Sequence, residues 1–119
     1  MKKMHDIPVP KAMQLINDLS LTAGDSFSNP EPSRLCHEYR METGYYLKQG
    51  KERLVKITTT KDENDKEVTK ARLELSLEAL GVDPEERTDE QDQEVQKTLN
   101  KVCLIIEQDP ISLGDVKPY

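Results

Sequence analysis

The side chains able to do chemistry in this chain are few: Cys36 beside His37, Cys103, His5 and a surplus of carboxylates. A thiolate–imidazole pair would make Cys36 a nucleophile. Neighbours on a helix point about 100° apart, however, so that contact is not supplied locally. Cys103 falls within an apolar helical stripe and is expected to pack rather than react. The two cysteines form neither a metal nor a disulfide pattern, and two reduced, part-buried thiols are expected. The only histidines are His5 and His37, and no CxxC, HxxxH or HExxH spacing occurs, so zinc has no ligand set. The acids of the segment 61–66 lack the central glycine and distal glutamate of a calcium-binding loop. No glycine-rich phosphate loop is present. The residues therefore point to no catalytic group, no metal and no cofactor.

Charge and aromatic side chains leave two kinds of partner open. The net charge is −6, which repels phosphate at long range. Its distribution is uneven: 34–56 is a basic stretch, and 83–94 is strongly acidic with Arg87 as its one cation. Such asymmetry suits an electrostatic contact between proteins, including two copies of this chain. Tyr39, Tyr45 and Tyr46 lie among Arg40, Lys48 and Lys51, a composition shared by single-strand stacking platforms and protein-interface hot spots. Tyr39 and Tyr46 fall on the apolar side of a predicted helix, which leaves Tyr45 for a partner.

The elements that must position these residues follow from periodicity. Apolar residues are 34% of the chain, with one Phe and no Trp, so one modest core of Leu, Ile and Val is expected in a single domain over 1–119. Pro8 and Pro10 open a first helix on which Ala12, Met13, Ile16 and Leu19 recur, with Gly24 as its stop. The segment 25–34 reads as a loop. Ser33 caps a second helix over about 33–48 carrying Leu35, Tyr39 and Tyr46. Alternation then predicts an antiparallel β-hairpin, about 53–60 and 67–77, turning through the polar segment 61–66. On its second arm Ala71, Leu73, Leu75 and Leu77 share one face. A helix over 67–80 would spread the same residues round both sides, which favours strand.

A long C-terminal helix follows, starting near Pro84 or at the Thr88 capping box and ending at about 108 before Pro110. Val95, Leu99, Val102, Cys103 and Ile106 form its core stripe. Leu104 and Ile105 lie outside the stripe, so this end is apolar nearly all round. Residues 1–7 and 110–119 read as flexible or extended tails, the latter with spaced Ile111, Leu113 and Val116.

The expected fold is thus α+β, a hairpin packed against two to three helices. The chain begins without a signal-like apolar run and contains no stretch of membrane-span length, which reads as a soluble cytoplasmic protein. The expected function is that of a non-enzymatic regulator or adaptor acting by protein contact, as a homodimer, through Tyr45, Val102, Leu104 and Ile105. The alternative partner is DNA. Helix, helix, hairpin and long helix is the order of winged-helix regulators. Arg34, His37 and Arg40, with Lys48 and Lys51, would then contact nucleic acid from the 33–48 helix, beside the 53–77 hairpin as wing. Against it stand Glu38 and Glu42 on that helix and Asp62, Glu63 and Asp65 at the wing tip.

Overall fold

The computed structural model describes residues 3–29, 40–61 and 64–116, with only the backbone at 3–4, 25–29 and 40. The element order is β1 (Lys3–Ile7), α1 (Val9–Asp18), β2 (Thr22–Asn29), β3 (Arg40–Tyr46), β4 (Val55–Lys61), β5 (Glu67–Leu75) and α2 (Asp89–Ile105). A short 3₁₀ turn at Leu113–Asp115 follows α2. The five strands form one antiparallel sheet in the order β1-β5-β4-β3-β2. The fold is α+β, as expected, but the sheet is larger than a hairpin.

The hairpin is β4–β5, with Val55 opposite Leu73, Ile57 opposite Ala71 and Thr59 opposite Thr69. Period-2 alternation puts Ala71, Leu73 and Leu75 on one face, where they form a single core with Ala12 and Leu15 of α1 and Val95, Leu99, Val102 and Cys103 of α2. The second arm ends at Leu75 rather than at 77. Ser76 Oγ accepts the Ala79 N–H at 3.1 Å and turns the chain through Leu77–Val82, whose Leu77, Ala79, Leu80 and Val82 are also buried. Gly81 has φ 89°, and a Cβ there would meet Gln49 Cγ at 2.4 Å, so this turn needs glycine twice over.

Three expectations are corrected on the other side of the hairpin. The helix expected over 33–48 is absent from Arg40 onward, where β3 lies between β2 and β4. Met41, Thr43 and Tyr45 alternate with Glu42, Gly44 and Tyr46, and Thr43 and Gly44 weaken a helix. Pairing with β2 on one edge and β4 on the other then holds the segment as a strand. The loop expected over 25–34 is strand β2 as far as Asn29, with a register shift between Ala23 and Ser26. Gly24 does not stop α1. The helix ends at Asp18, where Ser20 takes a left-handed φ of 52° and Leu21 N–H donates to the Ile16 carbonyl at 2.9 Å. Gly24 instead sits in β2, where a Cβ would meet the Tyr46 ring at 2.5 Å.

Residues 3–7 are the edge strand β1 on β5. Within α1, Ala12 and Leu15 are fully buried, whereas Met13 is 52% exposed. Thr88 is the N-cap of α2, its Oγ1 accepting the Gln91 N–H at 3.2 Å. The second start signal is used otherwise: Asp83 Oδ1 accepts the Glu85 N–H at 2.9 Å in a separate turn.

Candidate functional site

The C-terminal end of α2 gathers most of the residues that sequence reasoning favoured. From Val95 to Leu104 the helix rotates by about 180°, so Leu104 points directly away from the core stripe. It is 78% exposed, the most exposed large apolar side chain described. Val102 is fully buried and Ile105 nearly so; both belong to the core, and only Leu104 of the three reaches the surface. Tyr45 is half-buried and packs against the same core from β3. A shallow groove separates α1 from the end of α2, lined by Lys11 and Asp18 on one side and Lys101, Leu104 and Glu107 on the other. Lys11 Nζ bridges it to Glu107 Oε2 at 3.4 Å. Two cations and two carboxylates thus line the groove with Leu104 and Ile105.

Beyond Ile105 the chain turns back. Glu107 has φ 57°, its N–H donates to the Leu104 carbonyl at 3.3 Å, and Gln108 N–H donates to the Cys103 carbonyl at 2.9 Å. This closes the helix two to three residues before the expected stop at Asp109-Pro110. The segment 111–116 then returns along α2 as a strap. Gln96 holds it by both ends of its amide: Nε2 donates to the Ile111 carbonyl at 2.9 Å and Oε1 accepts the Leu113 N–H at 2.7 Å. Leu113 and Val116 are buried and Ile111 partly so. The spacing of the three apolar residues was visible in the sequence. Gln96 was missed, because a glutamine on a polar helix face gives no sign that it pairs with backbone.

The sheet face away from the helices holds a second polar group. Glu42 of β3 and Glu74 of β5 are 3% and 2% exposed. Lys56 Nζ lies 3.0 Å from Glu42 Oε1. Arg53, from the β3–β4 connection, stands between the carboxylates at 3.8 Å from Glu42 Oε1 and 3.7 Å from Glu74 Oε1. Those two separations make the guanidinium contacts ionic rather than hydrogen-bonded. Among the described residues, two buried anions thus face two half-buried cations. Sequence reading placed Glu42 and Lys56 on predicted elements but not together, since the contact depends on the β3–β4 register.

The residues of the DNA alternative are described only in part. Arg34 and His37 lie outside them. Arg40 is in β3, opposite Asn29 and Thr60. Lys48 is exposed after β3, and Lys51 Nζ is 3.9 Å from Asp83 Oδ2. Lys61 pairs with Asp65 at 3.6 Å across the hairpin turn. Among the described residues no three His, Cys, Asp or Glu side chains are placed to hold a metal ion, and no helix is long and apolar enough to cross a membrane. Cys103 is a buried free thiol. Compared with known proteins, the chain matches no family model, no curated sequence and no solved structure.

Proposed function

We propose that this chain is a small non-enzymatic regulator or adaptor of the cytoplasm that acts through protein contact and works as a homodimer. The observation that carries the reading is Leu104, 78% exposed and directly opposite the core stripe of α2. A leucine in solvent gains roughly 1.5–3 kcal/mol when covered, so a partner that covers it is favoured. The surrounding charges favour a second copy as that partner. A two-fold contact presents the same patch twice, and a patch carrying both Lys101 and the acids Asp18 and Glu107 can pair with itself. Cys103, as a buried free thiol, accords with a reducing compartment.

Sedimentation of the full chain against concentration tests the reading. Dimer formation that is lost on Leu104→Lys is expected. A monomer throughout the range up to about 200 micromolar would remove the dimer.

A further inference from the structure

We infer that the C-terminal strap 111–116 exchanges between two copies of the chain, each copy's strap docking on the other's Gln96. The inference rests on the homodimer reading and gives it a mechanism. Three features carry it.

The first is where the strap is held. Its polar contacts run between the Gln96 amide and main-chain groups of Ile111 and Leu113, and its apolar anchors are Leu113 and Val116. Nothing in that set depends on which copy the strap comes from. A strap supplied in trans makes the same contacts at the same distances.

The second is the hinge. Only residues 106–110 separate the end of α2 from the docked strap, and the reversal runs through Glu107 at φ 57°. The left-handed region is unfavourable for a residue with a Cβ, and unlike Asn or Gly a glutamate gains nothing there. Pro110 keeps Asp109 from helical backbone, which stiffens the hinge further. When the strap leaves in trans, Glu107 returns to ordinary backbone. A short, stiff hinge under strain is the usual setting for domain exchange.

The third is the surface beside the hinge. Leu104 stands three residues before Glu107 and is the most exposed large apolar side chain among the described residues. In an exchanged pair the two hinges cross at the two-fold axis. Both Leu104 side chains are then drawn together, with Lys101 of each copy near Glu107 of the other. The unpartnered leucine and the strained turn thus find relief in one rearrangement.

The test is sedimentation equilibrium on the full chain and three variants, each checked for folding by circular dichroism. Glu107→Gly removes the cost of folding back and therefore favours the closed monomer. Because each dimer releases two hinges, its dissociation constant should rise about tenfold or more. Glu107→Pro cannot adopt a positive φ and should tighten the dimer by a similar factor. Leu104→Lys should weaken it. In a dimer that keeps its straps in cis, the hinge is the same in monomer and dimer, and both Glu107 substitutions only remove the same carboxylate from the contact, so they shift the dimer in the same direction. A dimer broken by Leu104→Lys that Glu107→Gly and Glu107→Pro shift in the same direction, or not at all, would therefore overturn strap exchange while leaving the homodimer in place. A monomer for the native chain and Glu107→Pro alike would overturn both. Should Glu107→Pro not fold, Glu107→Gln takes its place: it removes the same charge but keeps the left-handed turn, so a Glu107→Gly weakening no greater than that of Glu107→Gln would overturn strap exchange.

Discussion

On the helix-covered face of the sheet, Val55, Leu73 and Leu75 are sealed by Ala12, Leu15 and Leu99. On the other face Glu42 and Glu74 are as deeply buried, yet their neighbours are Arg53 and Lys56. The two faces reach similar burial by opposite means. Apolar burial is non-directional, and each residue contributes through area removed from water whatever its exact neighbours. Burial of a carboxylate is conditional: it is tolerated only while a cation stands close, and removing that cation leaves the full desolvation cost. The covered face should therefore lose stability in proportion to volume removed, and the charged face in proportion to charge left unbalanced.

The largest effect belongs to the covered face. Leu73→Ala leaves a cavity between the sheet and both helices and should lower unfolding free energy by about 3–5 kcal/mol in urea titration. A loss under about 1 kcal/mol would mean the helices do not close on that face.

Next comes Lys56→Met, which keeps the aliphatic stem and removes the charge 3.0 Å from Glu42. A loss of about 2–3 kcal/mol is expected. The informative control adds Glu42→Gln: the double variant should regain most of the loss, because no buried charge is then unbalanced. If the double variant is worse than the sum of its parts, the charged face is not governed by balance.

Gln96→Ala touches neither face of the sheet. It deprives the Ile111 carbonyl and the Leu113 N–H of their partner and should cost about 1–3 kcal/mol. Faster hydrogen exchange at the Leu113 amide should accompany it, while β4 and β5 amides stay protected. The smallest effect on stability should come from Leu104→Lys, within about 0.5 kcal/mol at concentrations where the native chain is monomeric, because the side chain is then in solvent. A much larger loss would show that Leu104 packs within its own chain.

Legibility along the chain followed how much of an element's reason for existing is local. The β4–β5 hairpin was readable because Val55, Ile57, Ala71, Leu73 and Leu75 each alternate within their own segment. The start of α2 was readable because Thr88 caps its own first turn. The strands β2 and β3 were not. β2 has the sequence Thr-Ala-Gly-Asp-Ser-Phe-Ser-Asn, with no apolar alternation, and is a strand because β3 offers it an edge. In β3, Glu42 and Tyr46 fall four apart and imitate a helical stripe. The approach of Lys56 and Arg53 helps make Glu42 a buried member of a sheet. The end of α2 was misjudged by a few residues, because Leu104 and Ile105 look alike in sequence although one faces the core and the other solvent.

What the sequence by itself determined is the set of locally consistent pieces: α1 after Pro8, the hairpin, the capped start of α2, and the apolar spacing of the strap. Each rests on interactions within a few residues, whose geometry the backbone period already contains. What only the tertiary structure decided is which pieces meet. It made strands of 22–29 and 40–46, brought two carboxylates and two cations together from β3, the β3–β4 connection, β4 and β5, put Gln96 against the returning strap, and left Leu104 uncovered. Those outcomes depend on contacts between residues far apart in the chain, and such contacts leave no periodic trace in the segments that make them.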